Sequence, residues 1–133
     1  IITKLFIMKH FISTIIFLFA FPNFILCNEI PNLIGEWSGK NDTYSETKGM
    51  KSWNKTIKID KQSDRRFSGS FTYTDGSKKF YGVIHPDNTT ITWVSSNSRG
   101  YNLGKVIGNN RISACYVESG IDSTVGCADL VRK

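Results

Sequence analysis

The stretch NRISACYVESGIDSTVGCADLVR, residues 110–132, decides how this chain closes. With Gly120, Ile121 and Asp122 at a turn, Cys115 faces Cys127 across a hairpin. The same register pairs Ala114 with Ala128 and Ile112 with Leu130. Side chains alternate with period two along a strand, so one register sends both thiols to one face and the apolar residues to the other. A disulfide on the outside of a sheet, over an apolar inside, implies an exported barrel or sandwich.

The same pattern extends upstream. Short alternating stretches of β-branched and aromatic residues recur between turn residues, and helical periodicity is missing beyond the first 27 residues. Strands are predicted near 33–39, 53–61, 66–74, 78–85, 89–95, 100–107, 110–118 and 123–132, and only the connection 40–52 reads as long. A turn at Asp75-Gly76 pairs Phe71 with Phe80, Gly69 with Gly82 and Phe67 with Ile84. Asp87-Asn88 pairs Ile84 with Ile91 and Gly82 with Trp93. A turn centred on Ser98 pairs Trp93 with Leu103 and Ser95 with Tyr101. Asn109-Asn110 then pairs Ile107 with Ile112, Lys105 with Ala114 and Leu103 with Tyr116. Every step keeps the bulky residues on one face, so independent turns agree on one architecture. The expected fold class is all-β, an eight-stranded antiparallel up-and-down barrel. Gly69 opposite Gly82 leaves room for the Trp93 indole or marks a bend in the sheet.

Met8-Lys9-His10 is a short basic start, residues 11–21 are an apolar run, and Pro22 breaks it. That run suits the core of a signal peptide and falls short of the roughly 20 residues of a bilayer-spanning helix. Residues 1–7, ahead of the first methionine, read as upstream readthrough or an alternative start. Cleavage after Cys27 leaves residues 28–133 as one domain with two cysteines and no membrane span, exported to a periplasm or secreted. Lipidation of Cys27 is the alternative, against which the bulky Leu26 counts. The net charge of +6 is scattered, with no basic run or stripe, which argues for solubility and against a nucleic-acid partner.

Gly35-Glu36-Trp37 opens the first predicted strand, and Arg132 ends the last on the same inner face as Leu130. This pairing resembles the calycin superfamily of lipocalins, fatty-acid-binding proteins, avidins and a class of bacterial protease inhibitors. The resemblance implies that Arg132 packs on Trp37 and closes one end of the barrel, a structural role for both. Phe67-Ser68-Gly69-Ser70-Phe71 looks like the third strand of avidins, and the whole region after the leader is similar to short uncharacterised exported bacterial proteins. Biotin binding does not carry over. Gly39 stands where avidins have an asparagine, Phe71 where they have a tyrosine, and Thr43 where they have a serine.

Up-and-down topology sorts the inward residues between two ends. Trp37, Ile59, Phe67, Ile84, Ile91, Ile107, Ile112, Leu130 and Arg132 are expected to make an apolar floor. Trp53, Lys55, Tyr73, Trp93, Ser95, Tyr101, Lys105 and Tyr116 are the candidate ligand-binding residues of the open end, with Glu118 at the rim. Aromatic walls with a few polar tips orient a small molecule, and an eight-stranded barrel is just wide enough to hold one or to be filled by its own side chains. Lys105 is the odd member, a cation that the register sends inward beside Ala114. It is a counter-charge for an acidic ligand, or it snorkels to the mouth, or a bulge at Gly104 turns it outward. No serine triad, phosphate loop, paired-cysteine metal motif or histidine cluster stands out, and His85 reads as a turn residue. The sequence therefore points to a non-enzymatic binder of a small anionic or aromatic ligand, without a cofactor or metal. The alternative is a protein-binding module such as a secreted protease inhibitor, using residues 28–32 or the open-end loops.

Overall fold

The computed structural model describes residues 29–73 and 76–133, so the leader predicted over residues 1–27 lies outside the described residues. The strands are β1 (Gly35–Ser45), β2 (Gly49–Ser63), β3 (Arg66–Tyr73), β4 (Gly76–Ile84), β5 (Thr90–Ser95), β6 (Tyr101–Ile107), β7 (Arg111–Glu118) and β8 (Thr124–Arg132). Each pairs with the next and β8 returns to β1, closing an all-antiparallel barrel as the sequence led one to expect. Alternation drives it: β3, β4 and β5 bury Phe67, Phe80, Ile84, Ile91 and Trp93 while Ser68, Ser70 and Lys79 take the other face. Closure removes the two open edges that a flat sheet would present. The chain reverses through residues that tolerate the left-handed region, among them Asn88 (φ 58°), Asn97 (φ 56°) and Asp122 (φ 64°).

Two hairpins keep the expected register. Ile84 faces Ile91 and Gly82 faces Trp93. Cys115 faces Cys127, flanked by the pairs Ala114–Ala128 and Ile112–Leu130. The two cysteines form a disulfide on the exposed outer face.

Three expectations are corrected. The first concerns 40–52, which is no long loop: β1 and β2 run through it and turn tightly, with Ser45 opposite Gly49. In the second, the β3–β4 register is shifted by two residues, so that Phe71 faces Lys78, Gly69 faces Phe80 and Phe67 faces Gly82. An even shift leaves the faces unchanged. Its reason is steric. A Cβ on Gly82 would fall 2.3 Å from the Phe67 ring and one on Gly69 would fall 2.7 Å from the Phe80 ring, so each glycine makes room for the phenylalanine opposite.

The third correction matters most. Trp93 faces Asn102 and Ile91 faces Gly104, one residue away from the expected pairing. On the other side, Asn102 faces Tyr116 and Val106 faces Ile112. A one-residue slip turns every side chain of β6 over. Asn102, Gly104 and Val106 are buried, and Tyr101, Leu103, Lys105 and Ile107 are exposed. The slips at the two ends of β6 cancel, so β7 and β8 keep their predicted faces. Gly104 belongs inside because a Cβ there would lie 2.7 Å from the Ala114 Cβ, too close for any larger residue.

One end of the barrel is a packed floor. Leu33, Trp37, Ile59, Phe80, Ile91, Ile112 and Leu130 are all below 2% exposed. The Trp37 indole N–H donates to the Leu33 carbonyl at 3.0 Å. Arg132 lies over the Trp37 ring, 4.2 Å from its centre. Its guanidinium donates to the carbonyls of Ile34 and Asn32 at 2.6 Å each and of Asn109 at 3.1 Å. Gln62 holds the same entering segment, accepting from the Leu33 N–H at 2.7 Å and donating to the Pro31 carbonyl at 2.9 Å. Residues 31–34 thus plug the floor, and within 28–32, the segment considered for protein binding, Pro31 and Asn32 are tied to the barrel.

Candidate functional site

At the other end the inward residues change character. The inner positions of β1 run Trp37, Gly39, Asn41, Thr43 and Ser45, from apolar to polar within one strand. On β2 they run Ile59, Ile57, Lys55 and Trp53 toward the same end. β3 adds Phe71 and Tyr73, β4 Lys78, β5 Trp93 and Ser95, β6 Asn102, and β7 Tyr116. Together they line a cavity of about 280 Å³ at the open end, with Lys48, Ser98 and Thr124 at its mouth. The volume sits just below the ordinary range for small-molecule sites, so a molecule of one or two rings fits.

The lining is electropositive. Lys48, Lys55 and Lys78 contribute to it and no Asp or Glu does. The ion pairs among the described residues are Lys40–Asp42, Arg111–Asp129 and Lys133–Glu36, all on the exposed surface and none involving a cavity lysine. Lys55 and Lys78 instead lie against aromatic rings, each ammonium 5.6 Å from the centre of Phe71 and Tyr73 respectively. Burial without a counter-charge pulls the Lys55 ammonium from 10.5 down to about 8. Tyr116 moves the other way: burial first, then its hydrogen bond to the Glu118 carboxylate, pushes the phenol up to about 12. Its hydroxyl donates to Glu118 and lies 2.7 Å from Ser98 Oγ, which fixes it as a neutral group on the wall.

The structure brings Trp53, Lys55, Tyr73, Trp93, Ser95 and Tyr116 together around this cavity. Tyr101 and Lys105 are corrected to the outer face by the β6 register, so neither reaches the interior. The whole strand turns over, with no bulge at Gly104. Asn41, Asn102, Phe71, Lys48 and Lys78 line the cavity and were missed. Asn41 lay in the supposed loop and Asn102 on the wrong face. Carrying the alternation Trp37, Gly39 onward to Asn41 and Thr43 was the signal that finds the first. His85, on the outside, bonds Thr92 Oγ1 at 2.7 Å through Nε2.

A second, larger hollow of about 680 Å³ lies on the outer wall, lined by Tyr44, Met50, Val117, Val125 and the Cys115–Cys127 bond. It is a shallow saddle over the sheet. The interior cavity encloses its contents and carries the buried polar groups, and it is the candidate site.

A closed antiparallel barrel with a basic, aromatic interior at one end is the class that fold and site define. No family model matches the chain, and no curated protein matches it. The structure is similar to the crystal structure of a protein of unknown function from the DUF3598 family of Nostoc punctiforme. The match has a TM-score of 0.60 and 13% identity, and covers 79% of this chain and 50% of that one. This chain therefore corresponds to about half the length of that protein, and the likeness is one of fold.

Proposed function

We propose that this protein is an exported, calycin-like binding protein that holds a small anionic ligand with aromatic character in the open end of its barrel. The observation that carries the reading is the cavity wall, with three lysines, five aromatic rings and no carboxylate. Lys55 is turned inward and desolvated without an acidic partner, and an anion relieves that cost. The rings of Trp53, Phe71, Tyr73, Trp93 and Tyr116 supply flat apolar area beside them. Arg132 over Trp37 supports the calycin-like closure, and the disulfide supports an oxidising compartment. The tethering of Pro31 and Asn32 favours this reading over an inhibitor that uses residues 28–32, though not over one that uses the open-end loops.

The test is a titration followed by tryptophan fluorescence and melting temperature, since Trp53 and Trp93 line the cavity. Benzoate and indole-3-acetate are expected to bind, and benzamide and indole to bind at least tenfold more weakly. Lys55→Met and Lys78→Met should each erase part of that preference. Equal binding of acids and their neutral analogues would overturn the anionic reading. No response to any small molecule, with inhibition of a secreted protease instead, would establish the inhibitor.

A further inference from the structure

Lys55 stands where the packed floor of the barrel ends and the cavity begins. The inner positions of β2 run Ile59, Ile57, Lys55 and Trp53 toward the mouth, and the two isoleucines are closed off, at 1% and 2% exposed. Lys55 lies opposite Gly39 in the sheet, whereas Trp53, the next inner residue toward the mouth, lies opposite Asn41. A molecule entering the barrel reaches the Trp53 position before it meets the amine.

The surroundings offer that amine rings and no acid. Its nitrogen lies 5.6 Å from the centre of the Phe71 ring, and it makes no ion pair among the described residues. The other titratable groups lining the cavity are Lys48, Tyr73, Lys78 and Tyr116, with no carboxylate among the described residues of the wall. Held this way, the amine loses the hydration that favours its charged form, and its value falls to about 8. An uncharged amine carries a free electron pair, and desolvation in an apolar pocket is one way a lysine becomes a nucleophile. Binding an anion uses the protonated form of Lys55. The unprotonated form has a chemistry of its own.

We infer that Lys55 is a covalent capture site, whose neutral amine condenses with an aromatic aldehyde that enters the open end of the barrel. The Nζ electron pair attacks the carbonyl carbon, a C–N bond forms and the π pair moves to oxygen. Both amine protons and the carbonyl oxygen then leave as one water molecule, and a C=N bond to Lys55 remains. No oxidant or reductant is consumed. The class of aldehyde follows from the wall: Trp53, Phe71 and Trp93 offer flat apolar area around a space of about 280 Å³. Such a wall also keeps bulk water from the imine and slows its hydrolysis.

The probe is benzaldehyde at neutral pH with sodium cyanoborohydride, which reduces the imine to a stable benzylamine. Intact mass and peptide mapping then locate the benzyl group. The first one per chain should fall on Lys55, at a rate roughly tenfold or more above that of Lys105, which lies on the exposed face of β6. Excess benzyl alcohol, which fills the same space and cannot condense, should slow Lys55 and leave Lys105 unchanged. Lys55→Met and Lys55→Arg should both lose the fast label while keeping the native melting behaviour. Labels spread evenly over exposed lysines of the native protein, a result that needs no variant, would overturn the inference, as would a Lys55 that benzyl alcohol fails to protect. Benzoate binding together with even labelling would leave the anionic reading standing and sink this one. Fast labelling at Lys55 without benzoate binding would do the reverse.

Discussion

The floor and the mouth of this barrel are made from the same strands and obey opposite rules. At the floor the Trp37 N–H finds the Leu33 carbonyl, and the Arg132 guanidinium spreads over three carbonyls and an indole. At the mouth Asn41 and Asn102 turn polar side chains toward a cavity, and Lys55 is desolvated without a counter-charge. A fold selected for stability alone would fill the mouth as it fills the floor. The difference teaches where stability has been given up, and such places are where binding groups sit.

Substitutions at the two ends should accordingly differ in sign. The largest effect is expected at the floor, where Trp37→Ala removes a fully buried ring and should destabilise by about 3–5 kcal/mol in denaturant titration. Arg132→Ala should lose less, and the double variant less than the sum, because the two side chains stack. Strict additivity would show the stack to be incidental.

Next comes the clamp on the wall joining the two ends. Cys115→Ser or Cys127→Ser opens a loop that spans 12 positions and should reduce stability by about 2–4 kcal/mol. Its check is denaturant titration, run beside a thiol count on the native protein, and a midpoint unmoved by either substitution would sever the clasp from the fold's stability.

A smaller and opposite effect is expected at the mouth. Lys55 carries a folded-state value of about 8 against an ordinary 10.5. Between those values the unfolded chain holds a proton that the folded one has released, so folding stability rises with pH across that window. Below about pH 8 both states are protonated and the burial penalty is felt in full. Lys55→Met should therefore raise the melting temperature near neutral pH and flatten the rise between pH 8 and 10.5 seen in the native protein. A bound anion favours the protonated form, so its affinity should fall as pH climbs above 8. The smallest effect belongs to Lys105→Met. Its side chain lies on the exposed face of β6, and neither stability nor ligand affinity should move measurably. A loss of affinity there would put β6 back in its other register.

How much of this was legible follows the same division. At the floor, Phe67, Ile84, Ile91, Ile112 and Leu130 alternate with polar residues, and the pattern gave away strand, face and closure together. The cysteine hairpin added an exact parity check, since only one register brings the thiols opposite one another. Toward the mouth the inward residues are Asn41, Thr43 and Ser45 on β1 and Asn102 on β6, and hydrophobic alternation disappears. Residues 40–45 then look like loop. In β6 the apolar residues Tyr101, Leu103 and Ile107 stand on the outer face, so the pattern reads upside down. Hydrophobic periodicity reports a filled interior; where the interior is hollow and polar, it reports nothing or the reverse.

The seam between β1 and β8 has a consequence in time. All other seams join strands that are consecutive in the chain, whereas this one pairs Trp37 with Arg132 and Asn41 with Ala128. Hairpins close over short loops within microseconds, but a contact between distant segments must first overcome the entropy of the whole intervening chain. The barrel is therefore expected to assemble as a curling ribbon that zips shut last at this seam, and to open there first. Backbone amides shared by β1 and β8 should lose their protection against hydrogen exchange ahead of those between β3 and β4.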